Sequence, residues 1–267
     1  MLLNVSLMKS LNSRGYYLEK KIGQGSFGSV YQAFYRRRPY IKKKQKLACK
    51  TVNGSEASEI FLNKFLPREV EVLCLVKHQY IAEIHSILQC QDIAFIFMAF
   101  AENGDLLKYL TGNGKVDEPQ SRIWFSQMVS AIKYLHSLHY AHRDIKCENI
   151  LISKEMNIRI TDFAYIAPEI LQHLPYDPLI SDVWALGIVL TIMLFNDFPF
   201  EFGKKSMFKV LKNIRQKNVC MDRKIATKLS ADCLKTINKI LEPNPTYRPS
   251  INEVAGMPFI IKNIIDI

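Results

Sequence analysis

His142-Arg143-Asp144-Ile145-Lys146-Cys147-Glu148-Asn149 sets an acid, a cation and an amide in one short stretch, and Thr161-Asp162-Phe163 follows across a β-forming run. Their spacing decides the reading. Asp144 is a candidate to accept the proton of an attacking hydroxyl, and Lys146, two residues on, can neutralise a transferring phosphoryl group. Asn149, five after Asp144, offers an amide oxygen, and Asp162, thirteen beyond Asn149, offers a carboxylate. Oxygen ligands of this kind suit a hard cation such as Mg2+. Each residue alone reads as surface or packing; the joint spacing is what carries the chemistry.

Upstream, Gly23-Gln24-Gly25-Ser26-Phe27-Gly28-Ser29-Val30 is a G-x-G-x-x-G-x-V run. Glycines let a backbone approach phosphates closely and present its amide donors. A dinucleotide-binding fold shares the spacing but needs a helix directly after the glycines. Here Ser29-Val30-Tyr31-Gln32-Ala33-Phe34 is rich in β-formers, which favours a hairpin. Lys50 lies in a second strand candidate, Leu47 to Val52. A lysine at a strand end is ordinarily just solvated. Glu69 gives it meaning, because Pro67-Arg68-Glu69 opens a helical stretch. An ion pair between the two would hold the lysine against the α- and β-phosphates of a nucleotide.

These motifs match protein-kinase signatures, and the chain resembles a protein kinase domain from about Tyr16 to Phe259. Lys146 after the catalytic aspartate resembles the serine/threonine branch. Arg14-Gly15-Tyr16, Lys64 to Glu71, Gly104-Asp105-Leu106-Leu107, Ala131-Ile132-Lys133-Tyr134 and Leu174 to Pro178 resemble the testis-specific serine kinases. The resemblance implies an α+β, two-lobed fold with a β-rich N-lobe and a mainly helical C-lobe. It implies ATP and Mg2+ as cofactors, with Asn149 and Asp162 as the metal ligands. Met98 would be the gatekeeper, Ala99 to Ala101 the hinge that binds adenine through its backbone, and Asp105 a ribose contact. It assigns Ile22, Gly23, Gly25, Gly28, Val30, Ala48, Lys50, Glu69, Phe100, Ala101 and Leu151 to the same nucleotide-binding set. Asp182, opening a buried helix, would brace the catalytic loop, and Glu169 would pair with Arg248.

Two departures bear on activity. Kinases place glycine after Asp-Phe, and this chain has Ala164, which visits φ > 0 less freely. Ala167-Pro168-Glu169, which closes the activation segment in the family, begins only five positions past Asp162. Five extended residues reach at most about 17–18 Å. The simplest account is a deletion between Phe163 and Ala164, removing any activating phosphosite and the platform that grips a protein substrate.

At 267 residues and 48% hydrophobic, the chain can bury a full core. Its organisation reads as a poorly specified lead-in over 1–15, an N-lobe over 16–101 and a C-lobe over 102–267. Ile93 to Phe100 reads as a buried strand. Trp124, Met128, Ile132 and Leu135 recur at helical spacing, as do Cys233, Leu234, Ile237, Ile240 and Leu241. Ser250 with Glu253 signals a capping box for a last short helix. Val183 to Phe195 reads as a buried helix too short to span a bilayer, and no signal peptide is expected.

Arg36, Arg37, Arg38, Lys42, Lys43, Lys44 and Lys46 supply +7 of the net +11. A solvated loop is the first reading of such a run and an anionic partner the second. No recognition-helix or single-strand pattern accompanies it, so no nucleic-acid partner is expected. The six cysteines are scattered without a C-x-x-C pair, which points to a reducing, cytoplasmic setting rather than to zinc or disulfides. The expected function is ATP-dependent phosphorylation of serine or threonine in a protein substrate. The alternative is a weak or inactive pseudokinase scaffold that still binds ATP.

Overall fold

The computed structural model describes residues 5–25, 28–36, 44–53, 76–161, 177–200, 213–214, 216, 219 and 221–265. The chain divides into two compact units, Met1–Lys77 with Ala82–Glu102, and His78–Ile81 with Asn103–Ile267.

The first unit is an antiparallel sheet of β1 (Tyr16–Gly25), β2 (Gly28–Tyr35), β3 (Gln45–Asn53), β4 (Ile84–Cys90) and β5 (Ile93–Ala99), in the order β1-β2-β3-β5-β4. A strand, not a helix, follows the glycine run, which removes the dinucleotide-binding reading. β5 is buried on both faces, and the period-two alternation of a strand sorts its side chains. Ile93, Phe95 and Phe97 pack with Ala33, Leu47 and Cys49; Ala94, Ile96 and Met98 pack with Ala48 and Val52.

The segment before Tyr16 differs from the expected lead-in. Val5–Ser13 forms helix α1, and Leu7 and Leu11, 4% and 0% exposed, join the first of those clusters. A nine-residue helix is marginal by itself in water, so the sheet's apolar face holds it rather than its own propensity.

The second unit is mainly helical: α2 (Leu106–Asn113), α3 (Glu118–Ser137), α4 (Pro178–Phe195), α5 (Arg223–Ala226), α6 (Ala231–Ile240), α7 (Ile251–Ala255) and α8 (Pro258–Ile265). Two short paired strands, β6 (Ile150–Ile152) and β7 (Ile158–Ile160), lie between α3 and α4 in the chain. The spacing in α3 is realised in full, with Trp124, Met128, Ile132 and Leu135 all fully buried. Ser250 and Glu253 form the expected capping box on α7, although α8 follows it, so α7 is not the last helix.

α4 is longer than its apolar run. Asp177 caps it, Pro178 occupies the first turn, and the resulting eighteen residues, mean hydropathy 2.0, are long and apolar enough to cross a membrane. Its packing is that of a core helix. Asp182 is 1% exposed, and a Cβ at Gly187 would lie 2.7 Å from Ile240 Cγ2, so α6 approaches to a distance only glycine permits.

Candidate active site

In the first unit, β1 and β2 are paired up to Gly25 opposite Gly28, so the glycine run forms the turn of a hairpin. Val30 lies opposite Lys50 and Ala48 opposite Met98. Val30, Ala48, Met98 and Phe100 belong to one cluster with Val52 and Ile96. Lys50 alternates between Ala48 and Val52 on β3 and therefore shares their face. Five of the expected nucleotide-binding residues are thus gathered on one side of the sheet. Gly23, paired with Val30, and Ile22 beside it lie on the neighbouring strand. Ala99 donates its N–H to the Glu83 carbonyl at 3.1 Å, and Lys46 Nζ stands 3.8 Å from the Phe100 ring centroid. Beyond Ala99 the backbone is irregular through Phe100 and Ala101, leaving the ladder where the hinge is expected.

In the second unit the catalytic loop is held by buried polar groups. Asp182 on α4 accepts hydrogen bonds from the His142 N–H (2.7 Å), the Arg143 N–H (2.8 Å) and His136 Nε2 (2.9 Å). Arg143 takes a left-handed φ of 66°, costly for a residue with a Cβ, and the two carboxylate bonds fix the loop in that conformation. His142 is fully buried. The Asp144 N–H donates to its Nδ1 at 3.3 Å, which leaves Nε2 to carry the ring proton and donate to the Thr161 carbonyl at 3.1 Å.

The Asp144 carboxylate is shared between two donors. Lys146 Nζ bonds both oxygens at 2.9 and 2.8 Å, and Asn149 Nδ2 donates to Oδ2 and to the Asp144 carbonyl, each at 2.8 Å. With its amide nitrogen so occupied, Asn149 has its Oδ1 left as an oxygen donor beside a carboxylate. That set fits Mg2+, which takes one or two protein oxygens and completes its shell from phosphates and water. Among the described residues no group of three or more His, Cys, Asp or Glu is placed to hold a metal ion.

The Thr161 N–H donates to the Asn149 carbonyl at 2.9 Å, and Ile160 to the Tyr80 carbonyl at 2.9 Å. The chain is therefore pinned up to the position just before Asp162. Asp162 itself, Phe163, Ala164, Ala167 to Glu169 and Glu69 with its helix lie outside the described residues. Asp105 caps α2 through the Lys108 N–H (2.8 Å), pairs with Lys108 Nζ (2.9 Å) and bridges to Leu151. Arg248 donates to the Glu242 and Ile180 carbonyls and stacks 4.8 Å over Trp184; its expected partner Glu169 is among the residues not described. Cys147, inside the loop, is buried, and burial first, then the Glu148 charge, pushes its thiol up to about 12.

Sequence reasoning passed over His136 and Thr51. A histidine on a helix and a threonine in a strand carry no motif signal, and only the fold brings one to Asp182 and the other to Ser29.

The family model for the protein kinase domain matches residues 16–164 and 164–260. The chain belongs to the protein kinase family. The two matches of this kinase meet at Ala164, where the sequence places the missing part of the activation segment. The kinase is 34% identical over 272 residues to testis-specific serine/threonine-protein kinase 3 from Homo sapiens, covering 94% of this chain and 97% of the relative. It is 33% identical over 271 residues to testis-specific serine/threonine-protein kinase 1 from Mus musculus, covering 92% and 72%. With kinase 4 of the same name from Homo sapiens the identity is 31% over 287 residues, covering 94% and 84%. The kinase therefore stands in the serine/threonine class, whose members use ATP and Mg2+ and act on proteins.

Proposed function

We propose that this chain transfers the γ-phosphate of ATP to serine or threonine hydroxyls of a protein substrate, at a rate held down by its short activation segment. The observation that carries the reading is the Asp144 carboxylate, oriented by Lys146 and Asn149 on a loop that Asp182 fixes. Asp144 receives the hydroxyl proton. Lys146, now on that carboxylate, moves its charge toward the transferring phosphoryl group as substrate takes its place.

The first unit contributes the nucleotide contacts. Gly23, Gly25 and Gly28 offer backbone donors to the phosphates, Lys50, with Glu69 as its expected partner, anchors them, and Ile22, Val30, Ala48, Met98, Phe100 and Ala101 hold the adenine. Kinship with the protein kinases assigns Asp105 to the ribose and adds Leu151 to the nucleotide-binding set. Asn149 and Asp162 would hold magnesium, which would supply charge to neutralise the phosphates. Positioning supplies much of the rate of phosphoryl transfer, and the substrate platform is the part this chain has lost. ATP as phosphate donor, together with free, buried thiols at Cys49, Cys90, Cys147 and Cys233, supports an intracellular setting.

Incubation with γ-labelled MgATP and a serine- and threonine-rich acceptor, followed by phosphoamino-acid analysis, tests the reading. Label in phosphoserine or phosphothreonine is expected. Label confined to tyrosine, or none from folded protein, would overturn it; retained ATP binding in the latter case would describe a scaffold.

A further inference from the structure

Thr51 follows Lys50 on β3, on the opposite face of the sheet, and is 7% exposed. Its hydroxyl accepts a 3.1 Å hydrogen bond from the Ser29 N–H and donates one of 3.0 Å to the Ser29 carbonyl. The backbone ladder between β2 and β3 ends one position earlier, at Val30 opposite Lys50. One side chain therefore gives Ser29 both bonds that another rung would have given. The neighbouring glycine makes this possible. A Cβ added at Gly28 would overlap the Thr51 carbonyl oxygen, so the third glycine of the run lies directly against β3. The contact extends across the hairpin as well: Ser29 Oγ donates to Gln24 Oε1 at 3.0 Å, and Lys21 Nζ donates to the same oxygen. A polar chain from β1 through β2 to β3 thus crosses the glycine-rich end of the sheet.

We propose that Thr51 is a positioning residue for the phosphates, acting from the far face of the sheet. Glycines carry more conformational freedom than any other residue, and a phosphate-binding turn made of them loses that freedom on binding. Thr51 removes part of the loss beforehand by tying the second arm of the turn to the strand of Lys50. Backbone donors and ammonium group then keep a fixed separation. The inference rests on the reading that the glycine run and Lys50 bind phosphates.

The test compares wild type, Thr51→Val and Thr51→Ser by calorimetry with MgATP and with adenosine, which lacks phosphates. Valine keeps the shape and loses both bonds; serine keeps the hydroxyl. Thr51→Val should weaken MgATP about tenfold, equivalent to about 1.4 kcal/mol, and leave adenosine within about twofold. Thr51→Ser should restore MgATP to within about threefold of wild type. Equal MgATP binding by wild type and Thr51→Val would overturn the proposal alone. So would a parallel loss of adenosine, or a serine variant as weak as valine, because each describes a general loosening of the sheet. A wild type that binds no MgATP would overturn the nucleotide reading and this inference with it.

Discussion

Asp182 accepts a 2.7 Å hydrogen bond from the backbone N–H of His142, forty positions earlier, and its other oxygen takes a 2.8 Å bond from Arg143. A carboxylate is the side chain for this task, because both oxygens accept and neither must donate. Asparagine has the same shape and the wrong pattern: whichever way the amide turns, an NH2 faces a backbone N–H. We expect Asp182→Asn to lower the unfolding free energy by about 2–4 kcal/mol, since one buried donor loses its partner and the His136 bond weakens. Phosphate transfer should fall by about 100-fold, the scale of a small misplacement at a reacting group. Urea unfolding and transfer assays check both, and an unchanged urea midpoint would remove Asp182 as the brace.

Stability should fall with acidification through two half-buried histidines, His78 and His85. His78 lies 3.2 Å from Ser130 Oγ and stacks on Tyr134, and burial lowers its pKa from 6.5. His85 is lowered from 6.5 in the same way, burial outweighing the opposing Glu83 charge. Between those depressed values and 6.5 the unfolded chain binds more protons than the folded one, so stability rises with pH across that window. Below it the contribution of both groups is gone. The urea midpoint at about pH 5.5 should lie under that at about pH 7.5, and the difference should shrink in the His78→Gln, His85→Gln double variant. A double variant with the wild-type pH slope would assign the slope to other groups.

Repair of the short segment should restore rate without changing nucleotide affinity. Ala167 follows Asp162 by only five residues, and the kinase-domain match breaks at Ala164 between them. Inserting the corresponding stretch of human testis-specific kinase 3 between Phe163 and Ala164 should raise protein phosphorylation at least about tenfold, because the insert supplies positioning. The dissociation constant for MgATP should stay within about twofold, since none of the proposed nucleotide contacts is altered. Unchanged phosphorylation by a folded insertion variant would place the defect elsewhere, with Ala164 the next position to exchange for glycine.

Much of this was readable in the chain itself, for physical reasons that differ from element to element. The strand after the glycine run was visible because Val30, Tyr31 and Phe34 concentrate β-forming residues there, and α3 because Trp124, Met128, Ile132 and Leu135 mark one face of a helix. The Asp144, Lys146 and Asn149 group was visible because their chemistry is local, within a loop short enough for its spacing to fix its geometry. α1 was not visible, since two leucines in nine residues are a weak signal until a sheet covers them. His136 and Thr51 were missed because their partners are distant in sequence and their residue types are ordinary. The full length of α4 was obscured by Ser181 and Asp182, polar residues in the first turns of an otherwise apolar helix.

The proposed activity requires a working catalytic loop in a chain without its usual substrate platform. Asp144 carries it, held by Lys146 at 2.8 Å and Asn149 at 2.8 Å. The most direct measurement is the initial rate of labelled phosphate transfer from MgATP to a serine- and threonine-rich protein by wild type and by Asp144→Asn, both shown to be folded and to bind MgATP. Slow but measurable transfer by wild type is expected, with a loss of at least about 100-fold in the variant. Equal rates in the two, or no transfer by wild type, would contradict the proposal.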